Sequence, residues 1–196
     1  DTLLAARNSL LLAVSTATIA MALTAVIAWI VVRPHLPGRR ILDLLAFLPI
    51  GIPGLVLAVA LIFELISFPI PIYGTLVILV VAYVTRYMPY GMRTNSAAML
   101  QLHHELEEAA AASGASWGTT FRKIVVPLLW PSLVAGWIYV FVLAVRELGA
   151  SIFLVGPGTH VLGTISLTMW EEGGSYGAVA ALSKLLETDF IGTERD

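Results

Sequence analysis

The chain has 196 residues, of which 58% are apolar and only 12% charged, about half the charge of an ordinary soluble domain. Its 11 basic and 13 acidic residues give a net charge of −2, which leaves no basic stripe for nucleic acid. No cysteine is present, which excludes disulfide scaffolds, thiolate metal sites and cysteine nucleophiles. The charges cluster and leave uncharged runs at 8–32, 44–63, 65–85, 124–145 and 148–170, each near the ~20 residues that a helix needs to cross hydrocarbon. The pattern is that of an all-α, polytopic transmembrane helix bundle.

Ser9 to Val32 forms the first run and gives about 36 Å of helix at 1.5 Å per residue, enough to span with some tilt. Arg33, Pro34, Pro37 and Gly38 end it, and Arg39 and Arg40 add positive charge. The second run, about Ile41 to Ile66, carries Asp43 at its start and Glu64 near its end, and contains the sequence LPIGIPG. Pro49, Gly51, Pro53 and Gly54 therefore lie inside a span, where a break is tolerated only if it is buried in protein or lines a cavity. Two readings stand here: a bend beside a translocation path, or a packing kink that reorients the helix.

A Pro-rich turn without Lys or Arg, SFPIPIYG, leads into the third run, about Thr75 to Met92. Met88 and Met92 share a helical face there and read as gap-filling core residues. Next comes the polar stretch 93–123, and a fourth run extends from about Leu128 to Ala150. Arg146 and Glu147 fall at its outer end, where they read either as part of an outer gate or as anchors at the membrane interface, with Glu64 a candidate partner for Arg146. Beyond Ala150 the apolar sequence is interrupted by Gly156, Pro157, Gly158 and Gly163, and reads as an outer or re-entrant loop followed by a short helix at about 161–171. Tyr176 to Leu186 is too short to span and contains Lys184. The expectation is four full spans plus a short, incomplete last helix.

Orientation follows from the basic residues, which are retained on the cytoplasmic side. The 33–40 connection holds Arg33, Arg39 and Arg40, the 67–74 connection holds none, and 86–123 holds Arg86, Arg93, Arg122 and Lys123. The N-terminus is then outside and the polar stretch inside. His103 and His104 are adjacent and diverge on a helix, while His35 and His160 are distant in sequence. Glu171 and Glu172 read as a solvated loop edge, so no metal site is expected. The chain opens on Asp1 rather than Met and is expected to be a processed product or part of a longer chain.

Residues 101–127 read QLHHELEEAAAASGASWGTTFRKIVVP. Gln, Glu and Ala favour helix, Gly114 supplies the left-handed residue that ends one, and Ser116 is placed to cap the next. The expected product is a helix, a tight turn and a second helix on the cytoplasmic face, suited to docking a partner. Glu108, Ala109 and Ala110, then Gly114, then Ile124 and Pro127 resemble the E-A-A-x3-G-x9-I-x-L-P pattern of bacterial ABC importer permeases of the type I, MetI-like fold, with Val126 in place of the usual Leu. LLAFLPIGIPG at 44–54, YMPYGMR at 87–93 and VRELGAS at 145–151 are similar to the ferric-iron branch of that family.

The resemblance implies a single permease domain over 1–196, with a cytoplasmic coupling loop at about 94–127 and an extracytoplasmic loop at about 151–175. It implies a multi-pass protein of the bacterial inner (plasma) membrane, surrounded by lipid. The expected partners are cytoplasmic ABC ATPase subunits, an extracytoplasmic substrate-binding protein and a second permease half, as homodimer or fused pseudo-dimer. In this reading Glu108, Ala109, Ala110, Gly114, Ile124 and Pro127 couple to the ATPase, while Pro49, Gly51, Pro53, Gly54, Arg146 and Glu147 belong to the pathway or gate. The chain is not an enzyme and needs no cofactor: it lacks a G-x4-G-K-[ST] phosphate loop, so ATP is hydrolysed by a partner. Ferric iron is the favoured cargo, with thiamine, polyamine or molybdate import on the same fold, an ATPase-independent secondary transporter or channel, or a membrane scaffold as alternatives.

Overall fold

The computed structural model describes residues 2–32, 37–68, 70–171 and 177. Its first helix, α1 (Thr2–Val32), is unbroken and about 46 Å long. Small residues such as Ala13, Ala17, Ala20 and Ala28 face its neighbours, while Leu10, Leu11, Ile19 and Leu23 face outward. This is the membrane pattern: lipid tails are as apolar as Leu, so helices associate through small residues that let backbones approach.

Helix α2 (Arg39–Phe47) runs into a 3₁₀ turn, Leu48–Gly51, and α3 (Gly54–Ser67) follows. The two limbs meet at 113°, so the run expected at 41–66 is broken rather than continuous. Ile52 and Pro53 are extended between them, and Pro53 precedes the first residue of α3. The fixed backbone of proline sets the turn.

Helix α4 (Leu76–Leu100) continues eight residues beyond the expected end at Met92 and carries Pro89 and Arg86 within it. It packs against α1 and against α7 (Val126–Val145), and these three helices form the centre of the molecule. Contact is close: a methyl group on Gly91 would lie 2.5 Å from Thr24 Oγ1, and one on Gly136 would lie 2.5 Å from Met21 Cε. Asn95 Nδ2 donates to Thr24 Oγ1 (2.9 Å) and to Met21 O (3.3 Å), tying α4 to α1. Leu12, Leu79, Tyr83 and Val140 fill the core between them.

Between α4 and α7 lie α5 (Glu105–Ala112) and α6 (Trp117–Thr120). A π-helical turn, Phe121–Val125, joins α6 to α7 without interruption. The fourth run therefore begins at Trp117 rather than near Leu128, and ends at Val145 rather than Ala150. Pro127 has no N–H to give, and the wider register of the π turn, with Val126 N donating to Phe121 O, carries the helix past it. After α7 come α8 (Ser151–Leu154) and α9 (Leu162–Glu171), the latter close to the helix expected at 161–171. Tyr176 to Leu186 lies outside the described residues apart from Gly177, as does Arg33.

Two described helices, Thr2–Val32 and Trp117–Val145, are long and apolar enough to cross a membrane, and the bent pair would make a third. The expected count of four full spans is thus not confirmed by length and composition: α4 has the length but carries Arg86 and Arg93.

Candidate functional sites

The segment between α4 and α7 is built from the backbone outward. Glu105, Glu107 and Glu108 occupy the first turn of α5, where carboxylates complement the positive end of the helix dipole. Gly114 has φ 80°, Ala115 N donates to Ala110 O (3.0 Å) and Gly114 N to Ala111 O (2.9 Å). These two bonds are the Schellman closure, which needs a left-handed residue at the glycine position. Ser116 caps α6, its side chain accepting from Thr119 N at 3.4 Å. Ala110 is buried beneath the turn, whereas Glu108, Ala109, Gly114 and Pro127 are exposed and Ile124 is half-buried. Glu108 Oε1 lies 3.0 Å from His104 Nδ1.

Contacts with α1 help to fasten this segment to the bundle. Trp29, in the last turns of α1, donates through Nε1 to Glu107 Oε2 (3.2 Å) and packs edge-on against Trp117 at 5.2 Å. Trp117 stacks on Phe121 at 5.6 Å. Beneath them Met99, Val125 and Leu129 form a small core with Leu102 and Phe121.

A second constellation lies inside the bundle. Arg86 Nε donates to Glu147 Oε2 at 2.6 Å, Tyr87 OH donates to the same oxygen, and Ala150 N donates to Glu147 Oε1 at 3.1 Å. Arg86 Nη1 reaches Ile52 O (3.2 Å), in the break between α2 and α3. Tyr83 OH bonds Glu147 O (3.1 Å) and the Ser151 hydroxyl. The side chain of Glu147 is 6% exposed and that of Arg86 29%. Gly54 is part of the fit, since a methyl group there would lie 3.0 Å from Glu147 Oε1 and 3.1 Å from Arg86 Cζ. Charges this deep persist only when paired and hydrogen-bonded.

The sequence residues fall out unevenly against this geometry. Glu147 and Gly54 meet in the cluster. Pro49 is buried under the 3₁₀ turn, while Gly51 and Pro53 are exposed and nothing lies within 4 Å of a methyl group on Gly51. Arg146 is exposed, and among the described residues no salt bridge joins it to Glu64. Glu147, two residues beyond the end of α7, pairs instead with Arg86, which sits within α4 rather than in the inner connection where the charge count places it. Arg93 also lies within α4, in its second half, and Arg122 and Lys123 follow in the π turn, so the positive charge still gathers around the segment 101–127. Tyr83, Tyr87 and Ser151 were missed. The available signal was Arg86 itself, the one charge in an otherwise uncharged stretch from 65 to 92.

A bundle of tightly packed apolar helices with an exposed, glycine-capped helical hairpin is the build of a membrane transport component. The family profile described as "binding-protein-dependent transport system inner membrane component" matches residues 20–186, and the chain belongs to that family, the MetI-like permeases of ABC transporters. It is 36% identical over 160 residues to the ferric transport system permease protein FbpB of Actinobacillus pleuropneumoniae, covering 82% of this chain and 23% of that one. The sulfate transport system permease protein CysT of Escherichia coli is 37% identical over 139 residues, 66% of this chain and 50% of the relative. The trehalose transport system permease protein SugB of Mycobacterium tuberculosis is 31% identical over 178 residues, 89% of this chain and 64% of the relative. The chain thus spans about a quarter of the ferric relative and half of the sulfate relative. A chain from the crystal structure of a bacterial alginate ABC transporter with its periplasmic protein shares the fold, with a TM-score of 0.72 at 16% identity over 95% of this chain and 73% of that one.

Proposed function

We propose that the chain is the membrane-spanning permease, or one half of a fused permease, of an ATP-driven importer in the bacterial inner membrane. In this reading α1, the bent α2–α3 pair, α4 and α7 cross the bilayer, and residues 101–127 seat in a groove of a cytoplasmic ATPase. The observation that carries it is the segment's construction: a Schellman turn and a Ser116 cap fix its shape, leaving Glu108 and Ala109 exposed. Glu108 offers a carboxylate to a basic partner residue and Ala109 allows close approach. Closure of the ATPase dimer would then move the segment as a rigid body, and alternating access would follow from tilting of the attached helices. An extracytoplasmic binding protein delivers cargo, and a second permease half completes the pathway.

Ferric iron is the cargo best supported, on 36% identity to a ferric permease over most of the chain and on the LPIGIPG, YMPYGMR and VRELGAS segments. Sulfate is the second reading, drawn from the 37% identity to CysT. Two measurements test the proposal. Gly114→Val removes the left-handed residue and should abolish co-purification of the ATPase; unchanged co-purification and transport would overturn the coupling role. Uptake of radiolabelled ferric iron against radiolabelled sulfate, in cells with and without the gene, decides the cargo.

A further inference from the structure

Helix α1 is held at both ends by parts of the protein that lie on opposite sides of the bundle. At its inner end, Trp29 donates to Glu107 and packs against Trp117, both in the segment 101–127. At its outer end, Asn8 Nδ2 donates to Gly158 O and to His160 O, each at 3.0 Å, and Ser9 Oγ accepts from Leu162 N at 2.8 Å. Asn8 and Ser9 are buried. The two attachments are about 32 Å apart along the helix at 1.5 Å per residue, close to the ~30 Å of the hydrocarbon core.

The outer contact grips a folded unit. The turn Gly156–Thr159 is closed by Thr159 N to Gly156 O (3.1 Å), and Thr159 Oγ1 donates to Gly74 O (3.0 Å) at the α3–α4 connection. Gly74 and Val155 form a parallel bridge, and a methyl group on Gly156 would come within 2.7 Å of Gly74 Cα. Between its ends α1 has no break, and Asn95 together with the glycine contacts at 91 and 136 locks it to α4 and α7. A displacement imposed at Trp29 therefore reaches Asn8 by rigid-body motion rather than being absorbed in a hinge.

We infer that α1 is the element through which the state of the 101–127 segment sets the position of the outer turn 156–160, with Trp29 and Asn8 as positioning residues at its two ends. The inference rests on the coupling role proposed for 101–127. It extends that role by naming the route and the outer segment that responds.

The test uses the full chain assembled with its ATPase in lipid vesicles. The chain has no cysteine, so Pro157→Cys, at an exposed position of the outer turn, places one fluorophore on it when it is labelled before assembly with the ATPase. Addition of a non-hydrolysable ATP analogue should change its emission. Asn8→Leu keeps the size of the side chain and removes its donors, and Trp29→Phe keeps a ring and removes the N–H. Each should cut the response about five-fold or more, the lower end of typical allosteric coupling. The double variant should be no worse than the weaker single, since both interrupt one path. Asn8→Leu should retain ATPase co-purification and basal ATP hydrolysis, and thermal unfolding of each variant confirms that it is folded.

The inference is overturned if the label does not respond in the unsubstituted assembly, if either single variant responds fully, or if Asn8→Leu loses the ATPase. Failure of the coupling role itself reads differently: Gly114→Val would then keep both the ATPase and the label response.

Discussion

Glu108, on α5, and Glu147, in the connection between α7 and α8, are both carboxylates, and they sit in opposite surroundings. Glu108 stands on an exposed face of α5 beside His104, in a stretch where glutamates and alanines follow each other closely. Glu147 lies inside the bundle, with Arg86, Tyr87 and Ala150 N all donating to its two oxygens. The first is largely local: the hydrogen bonds that close its turn and its cap lie within 104–120, with Trp29 as an anchor from outside. The second is assembled from four places in the sequence, near residues 52, 86, 147 and 151. An exposed, locally folded surface is free to meet another protein, whereas a buried, non-local cluster holds the molecule's own elements in register.

If that contrast is sound, mutations should separate cleanly into those that unfold the bundle and those that silence it. The largest effect is expected at the ion pair. Arg86→Ala or Glu147→Ala leaves a buried charge without its partner and should cost about 3–5 kcal/mol, read as a collapse of the thermal unfolding temperature in detergent. Replacing both, with Arg86→Met and Glu147→Leu, should recover most of that loss, because an apolar pair of similar volume removes the uncompensated charge. A double variant as unstable as the singles would mean that the hydrogen bonds of Tyr87 and Ile52, rather than the charges, fix the cluster.

Next in size are the close approaches. Gly91→Ala drives a methyl group to 2.5 Å from Thr24 Oγ1, which already donates to Ala20 O at 2.6 Å and accepts from Asn95. Overpacking of this kind typically costs about 1–3 kcal/mol, and chemical denaturation in detergent should show it. Gly54→Ala strikes Glu147 Oε1 and Ala150 N and should fall in the same range. Gly114→Val is smaller for the fold, about 1–2 kcal/mol for a left-handed conformation, and confined to the hairpin. Its expected signature is an unchanged bundle with lost ATPase association. Last comes Glu108→Ala, which should leave the unfolding temperature unmoved and weaken ATPase association alone. A marked drop in stability there would erase the distinction between the two sites.

The same contrast explains what was readable in the sequence. The hairpin was legible because each of its devices is a short-range rule: Gly114 as helix terminator, Ser116 as cap, and Glu-Ala-rich composition as helix. The α9 helix was legible because Gly156, Pro157 and Gly158 break the apolar run ahead of it, although Gly163, read as a further interruption, falls inside the helix. By contrast, Arg86 and Glu147 are 61 residues apart, and no spacing rule joins them. Counted by charge alone Arg86 reads as a mark of orientation, because charge counts carry no depth, and nothing in the sequence distinguishes exposed Arg146 from buried Glu147 beside it. LPIGIPG announced a disturbance, yet whether two prolines kink a helix or split it depends on what receives the freed backbone groups. Here Arg86 takes Ile52 O, and the run splits into two limbs. The π turn was equally silent, since it changes the register of the hydrogen bonds and not the composition.

That turn has a geometric consequence of its own. In a helix with 3.6 residues per turn each residue adds about 100° of rotation, and a π turn amounts to one residue more than the regular register would hold. Phe121–Val125 therefore takes up that extra residue inside one wide turn and cancels the rotation it would otherwise add, so that Trp117 leaves the bundle on the side where α1 is met. Removing a single residue between 121 and 125 would leave a continuous helix of nearly the same length with the indole of Trp117 still turned toward Trp29, because the wide turn holds the residue that is lost.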